Sequence, residues 1–380
     1  LELIPLRPRE LSLVDLQTLS PDSYILIDIR SEHAYQNGFI PGALHVPIDA
    51  LEQDADVLST EKQIILYCTK GLVSADVAAR LTDRGLPAGH LAGGYVAWLL
   101  EHLSHQDKWE AVETSIRKKF HKTLFSQFTK GIRTYDLIQA GDRIAVCISG
   151  GKDSMLMAKL FQELTRHRKV PFELIFLVMD PGYAPENRAL IEHNAKILNI
   201  PLTIFETDIF DSVFTAPKSA CYLCARMRRG HLYSKAQELG CNKIALGHHY
   251  DDVIETILMS VLHGAQFQTM MPKLHSQNFP GMELIRPMYF IREKDIKHFQ
   301  TYHDLRFLLC ACRFTDTCST DGGMVSKRTE IKQLIRTLKE TNPYVESNIF
   351  NSVENVHIEA IVSYKKDGKQ HHFLDTYDDM

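Results

Sequence analysis

The 380-residue sequence has no apolar run approaching the roughly 20 residues that a membrane-spanning helix needs, which argues against a membrane protein. Its opening, LELIPLRPRE, lacks the basic stretch and apolar core of a secretory signal, so a cytoplasmic location is expected. Internal repeats and low-complexity tracts are missing too, which sets solenoids aside. Nor is there an excess of positive charge. The net charge is −4, which alone does not suggest a nucleic-acid partner. The balance is uneven, however. Residues 1–105 carry 7 Lys and Arg against 14 Asp and Glu, leaving 36 against 33 for the rest. An acidic module thus precedes a mildly basic one, and a local basic surface is all that RNA binding requires.

Length suits two or three domains, and 44% apolar with 24% charged residues is ordinary globular material. Eight cysteines without a secretory signal point to thiol or metal chemistry rather than disulfides. Two α/β patterns are expected. The first has strands at Ser23–Asp28 and Gln63–Tyr67 and a helix from Ser74 to Arg84, stopped by Gly85. Residues 105–130 read as a helical linker. The second has strands at Arg143–Ile148, Leu174–Met179, Leu202–Glu206 and Lys243–Leu246. Helices are expected from Ser154, at Glu186–Leu198 and over 226–239. Apolar strands alternating with helices imply a parallel sheet covered on both faces, with ligands beyond the C-terminal strand ends. Residues 339–380 form an extension, either a small strand pair or a tail.

Three clusters carry chemistry. Cys68, in Cys68-Thr69-Lys70-Gly71-Leu72-Val73-Ser74, lies between a strand and a helix. Backbone N–H groups and the helix N-terminus there favour a thiolate. The bland alternative is a semi-buried cysteine at a strand end. Ser149-Gly150-Gly151-Lys152-Asp153-Ser154 also joins a strand to a helix. Its glycines let successive N–H groups form an anion nest, Lys152 adds a point charge, and Asp153 is a candidate Mg²⁺ ligand. The spacing is not that of the longer Walker motif. In Gly247-His248-His249-Tyr250-Asp251-Asp252-Val253-Ile254-Glu255, the acids and imidazoles either hold Mg²⁺, move a proton, or only cap a helix.

Cys221-Tyr222-Leu223-Cys224 is followed far downstream by Cys310-Ala311-Cys312. Four sulfurs would suit structural zinc, and three an iron–sulfur cluster with one open iron. Arg226, Arg229 and Lys235 recur at helical spacing, as phosphate ligands or as a solvated face.

Leu26-Ile27-Asp28-Ile29-Arg30, Gly38-Phe39-Ile40-Pro41-Gly42-Ala43 and Leu91-Ala92-Gly93-Gly94-Tyr95-Val96-Ala97-Trp98 accompany the Cys68 loop. Together they resemble the rhodanese family, which implies a persulfide on Cys68. The loop has Lys70 as its only cation where relatives often have arginine, which disfavours thiosulfate as donor. A persulfide donor such as a cysteine desulfurase is expected instead. SGGKDS, CYLCARMRRG, KIALGHHYDD, IRPMYFIREKDI and LLCACRF, in that order, resemble the tRNA 2-thiocytidine synthetase family. The resemblance implies a rhodanese-like domain (1–104) before a PP-loop, adenine nucleotide alpha hydrolase-like domain (131–338). It implies tRNA as substrate, ATP, Mg²⁺, a 4Fe-4S cluster and a homodimer. Carried over, Ser149 to Ser154 bind pyrophosphate, and Cys221 and Cys224 ligate the cluster. The third ligand falls to Cys310 or Cys312, and we take Cys312. Asp251 and Asp252 join Cys68 as the expected catalytic residues. Uridine thiolation, a cluster-free amidotransferase-type ligase and a non-enzymatic sulfur relay are the competing readings.

Overall fold

A computed structural model describes residues 8–53, 62–102, 108–167, 170–209, 220–308 and 327–377, with only the backbone for 220–225. The N-terminal sheet contains β1 (Arg9–Leu11), β2 (Tyr24–Asp28), β3 (Leu44–His45), β4 (Gln63–Tyr67) and β5 (Ala88–Leu91). Its order is β1-β5-β4-β2-β3, and every pairing is parallel. Alternate side chains on a strand face opposite ways. Ile65 and Tyr67 therefore enter one core with Leu91, Tyr95 and Trp98, while Ile64 and Leu66 enter the other with Val77, Ala78 and Leu81. The helix between these strands runs Leu72–Asp83, starting before Ser74 because Gly71, at φ 86°, already serves as its cap.

The second sheet contains β6 (Arg143–Ile148), β7 (Glu173–Asp180), β8 (Leu202–Glu206), β9 (Lys243–Ala245), β10 (Lys273–His275) and β11 (Glu283–Ile285). The order is β10-β11-β9-β6-β7-β8, parallel except for β10 at the edge. Ile144, Val146 and Ile148 face the larger core, and Ala145 and Cys147 the smaller one. Burial pushes the Cys147 thiol up to about 12, so it packs as an apolar residue.

The expected linker packs as part of this domain. Helix Trp109–Arg117 places Glu113 3.0 Å from Lys159 and 2.6 Å from Arg166, on helix Lys152–Arg166. A π-turn at His121–Phe125 then leads into helix Ser126–Thr134. The two domains meet where Leu190, on helix Pro185–Ile197, packs against the Leu91–Tyr95–Trp98–Leu99 cluster. Helix Lys327–Thr341 runs into the extension, which contains helix Val345–Ser352 and the strand pair β12 (Ser363–Lys366) with β13 (Lys369–His372). No helix among the described residues is long and apolar enough to cross a membrane.

Candidate active site

β6 delivers Ser149, Gly150 and Gly151 to the C-terminal end of the sheet, and helix Lys152–Arg166 begins at once. It starts two residues before Ser154 because Gly151, with extended backbone, is the N-cap. Gly150 has φ 82°, and an added Cβ would sit 2.5 Å from Ile191 and 2.8 Å from Leu308. The turn is tied by Ser154, whose hydroxyl donates to the Gly151 carbonyl at 3.0 Å and accepts from the Ser149 N–H at 3.2 Å. Lys152 Nζ lies 3.1 Å from Asp153 and 3.4 Å from Glu293. Burial pulls this ammonium down, but Asp153 and Glu293 outweigh it and hold it above the ordinary lysine range. Glu293 is itself held at about 2, because Lys297, Lys332 and Lys152 overcome its burial.

β9 delivers the second cluster beside the first. A Cβ at Gly247 would meet the Ser154 N at 3.2 Å, so a glycine lets the two turns touch. His249 caps helix Tyr250–Gly264. Its Nδ1 accepts from the Asp252 N–H at 3.4 Å, while Asp252 accepts from the His249 N–H at 3.1 Å. The two expected acids then diverge. The Asp251 carboxylate accepts from the Glu293 N–H at 2.7 Å and pairs with Arg292 at 3.2 Å, which ties down helix Glu293–Tyr302. Asp252 instead lines the cavity and pairs with Arg328 at 3.0 Å. Glu255 stands behind it, 3.5 Å from Arg328 and 3.6 Å from Lys332, and burial lifts its carboxyl to about 7 against those cations.

A cavity of about 400 Å³ opens between the motifs. Ser149, Asp153, Ser154, His248 and Asp252 line one side, and Arg228 and Arg229 the other. Both arginines belong to helix Ala220–Glu238, whose first turns contain Cys221 and Cys224. Cys224 is four residues from Arg228, ~6 Å along a helix axis. The side chains of Cys221 and Cys224 lie outside the described residues, as do Cys310 and Cys312.

Cys68 is 7% exposed. Its Sγ accepts from the Gly71 N–H at 3.2 Å and the Ser74 N–H at 3.4 Å. A Cβ on Gly94 would sit against the Cys68 carbonyl, so the Gly93-Gly94 turn closes directly over the loop. Arg286, Glu293, Arg328 and Lys332 were not singled out from sequence. The first two fall inside IRPMYFIREKDI and carried a signal. Arg328 and Lys332 lie on a helix that only tertiary packing brings to the cavity.

Residues 114–311 match the PP-loop domain family, and residues 13–101 match the rhodanese-like domain. The chain is 35% identical over 232 residues to a tRNA-cytidine(32) 2-sulfurtransferase of Citrifermentans bemidjiense, covering 60% of this chain and 88% of the relative. It is 35% identical over 248 residues to the protein of that name from Acaryochloris marina, covering 64% and 84%. Among solved structures, a U34-tRNA thiolase from Methanococcus maripaludis with its 4Fe-4S cluster aligns at 21% identity and TM-score 0.48, covering 60% of this chain and 77% of that one.

Proposed function

This chain belongs to the PP-loop family and, within it, to the tRNA-cytidine(32) 2-sulfurtransferases, and from that premise we propose that it is a cytoplasmic, ATP-dependent tRNA thiolase that makes 2-thiocytidine in the anticodon loop. The observation that carries the reading is the shared cavity. The anion nest, the Gly247–Asp252 cluster and two arginines from the Cys221–Cys224 helix all border one space.

In the proposed reaction the phosphates of ATP lie against the Ser149–Ser154 turn, where backbone N–H groups and Lys152 bind them. O2 of cytidine attacks the α-phosphorus, the bond to the β-phosphate breaks, and pyrophosphate leaves. The C2 carbon, activated by the adenylyl group, then accepts sulfur and AMP departs. Arg228 and Arg229 supply positive charge for the tRNA backbone or the nucleotide.

Mg²⁺ fits this cavity. Asp153 Oδ1 is buried without a hydrogen-bond partner, and His249 Nε2 stays 3.8 Å away. An unpaired buried carboxylate oxygen beside a phosphate site is a natural cation ligand, and the cation would neutralise charge on the leaving pyrophosphate. For a 4Fe-4S cluster, Cys221 and Cys224 stand three apart on a helix, a spacing that puts both on one side. Cys312 is the proposed third ligand, and the open iron would supply a place for sulfide beside the activated base. Cys68 is the proposed sulfur carrier, because two N–H groups already converge on its Sγ. Releasing sulfide from its persulfide takes two electrons, which a thiol reductant supplies. A cysteine desulfurase is the proposed donor and a homodimer the proposed assembly.

The test is pyrophosphate release by the full chain, prepared without oxygen. It is expected to require tRNA and to vanish in Lys152→Ala. Release without tRNA would instead favour an amide- or carboxylate-activating ligase.

A further inference from the structure

Arg286 follows β11 directly and turns its guanidinium under the second motif. Its Nε donates to His248 Nδ1 at 3.3 Å, and its Nη1 donates to the Met271 carbonyl. Among the described residues it has no carboxylate partner. Burial and the neighbouring Arg229 pull Arg286 down to about 10, so it stays charged at neutral pH.

A guanidinium has only N–H donors and accepts nothing. The His248 nitrogen that faces it must therefore be the bare, accepting one, and the ring hydrogen must sit on Nε2. Protonating Nδ1 would aim two donors, and two cations, at each other across 3.3 Å. The other groups around this ring leave the outcome unchanged. Burial is the largest influence; Arg286, Arg328 and His249 oppose protonation, and only Asp252 favours it. The result is a value of about 4.

We infer that Arg286 locks His248 as a neutral imidazole whose Nε2–H donates a hydrogen bond to the reacting α-phosphoryl oxygen of bound ATP. The inference rests on the nucleotide reading above and assigns His248 a role opposite to that of a base. His248 lines the cavity with Ser149, Asp153 and Ser154, where the phosphates are proposed to lie. Nδ1 is spent on Arg286, so Nε2, on the opposite side of the ring, is the atom left for a ligand. Negative charge grows on the phosphoryl oxygens as the O2–phosphorus bond forms and the bridging bond to pyrophosphate breaks. A fixed neutral donor meets that charge without being consumed. No proton moves to His248 in this step, and for cytosine none needs to, because its N3 carries no hydrogen. A uracil would have to shed its N3 proton on activation, so a locked donor suits cytosine. Arg286 acts only through His248 and is a positioning residue.

The test uses the full chain with ¹⁵N-labelled histidine, read by ring nitrogen–proton correlation with and without a non-hydrolysable ATP analogue and Mg²⁺. His248 is expected to remain a single Nε2–H tautomer from about pH 5.5 to 8.5, below which a group near 4 begins to titrate. The analogue is expected to shift its Nε2–H signal, and Arg286→Met to raise its titration only part of the way from about 4, because burial, the larger influence, remains. In turnover, His248→Ala is expected to lower kcat by about 10²–10³-fold with ATP affinity little changed, the usual cost of one lost transition-state donor. His248→Gln, which keeps an N–H donor, is expected to recover much of that. A wild-type His248 that carries its proton on Nδ1, titrates near neutrality, or ignores the nucleotide would overturn the proposal, as would equal loss in the Gln and Ala variants. The wild-type spectra are read on the unmodified protein, so no folding defect can obscure them. A locked tautomer that responds to nucleotide in a chain showing no tRNA-dependent pyrophosphate release would support the lock and sink the thiolation reading.

Discussion

Replacing Gly150 by alanine tests whether the Ser149–Ser154 turn holds ATP. Gly150 sits at φ +82°, and its new Cβ would lie 2.5 Å from Ile191 Cγ1 and 2.8 Å from Leu308 Cδ1. The left-handed backbone costs an alanine about 1–2 kcal/mol. Overpacking against two well-seated side chains adds about 1–3 kcal/mol. The present turn is thus disfavoured by about 2–5 kcal/mol in the variant. Its cheapest escape is to rotate the Gly150 peptide, which turns N–H groups away from a phosphate. At 1.4 kcal/mol per tenfold, ATP affinity should fall by about 30-fold to a few thousandfold. Titration calorimetry with a non-hydrolysable ATP analogue measures this directly. Adding Ile191→Ala removes the nearest clash but not the backbone cost, so the double variant should regain only part of the affinity. An alanine variant that binds the analogue as the wild type does would refute the assignment of the phosphate site.

The Cys68→Ala variant should keep tRNA-dependent pyrophosphate release while losing thiolation from a persulfide donor, as nucleoside mass spectrometry would show; unchanged thiolation sinks the relay. Asp251→Ala should lower stability by about 1–3 kcal/mol in denaturant unfolding, because it strips the Glu293 N–H of its acceptor and leaves Arg292 with Glu346 as its one remaining carboxylate partner among the described residues. Glu255 supplies a pH signature. Burial raises its carboxyl from 4.5 to about 7, so the folded state holds that proton more tightly than the unfolded chain does. Its contribution to stability is complete below about 4.5 and is lost as pH rises through about 7. Thermal unfolding from pH 5 to 8 should therefore show the wild type losing Tm relative to Glu255→Gln, and parallel profiles would contradict the burial argument.

Much of the frame was legible because apolar strands and glycine turns carry strong local signals. Arg143–Ile148, Leu202–Glu206 and Gln63–Tyr67 stand where expected. The short edge strands β10 and β11 were missed, since three residues give too little alternation to read. Helix Ala220–Glu238 begins well before residue 226, in the stretch that the sequence marks only by its Cys221–Cys224 spacing. At the site, SGGKDS and GHHYDD announced themselves. The division of labour between Asp251 and Asp252 did not. It depends on Arg292 and Arg328, which lie 41 and 76 residues away and reach those acids only through packing. Likewise nothing local told that His248 would be held by Arg286, 38 residues on.

On the proposed reading, ATP bound at the Ser149–Ser154 turn activates a tRNA cytidine for sulfur insertion. Nucleoside mass spectrometry of tRNA from cells lacking this gene, with and without the wild-type chain restored, tests it most directly. 2-Thiocytidine is expected to disappear on deletion and to return with the wild type but not with Lys152→Ala. Unaltered 2-thiocytidine in the deletion strain, or loss of a thiouridine instead, would contradict it.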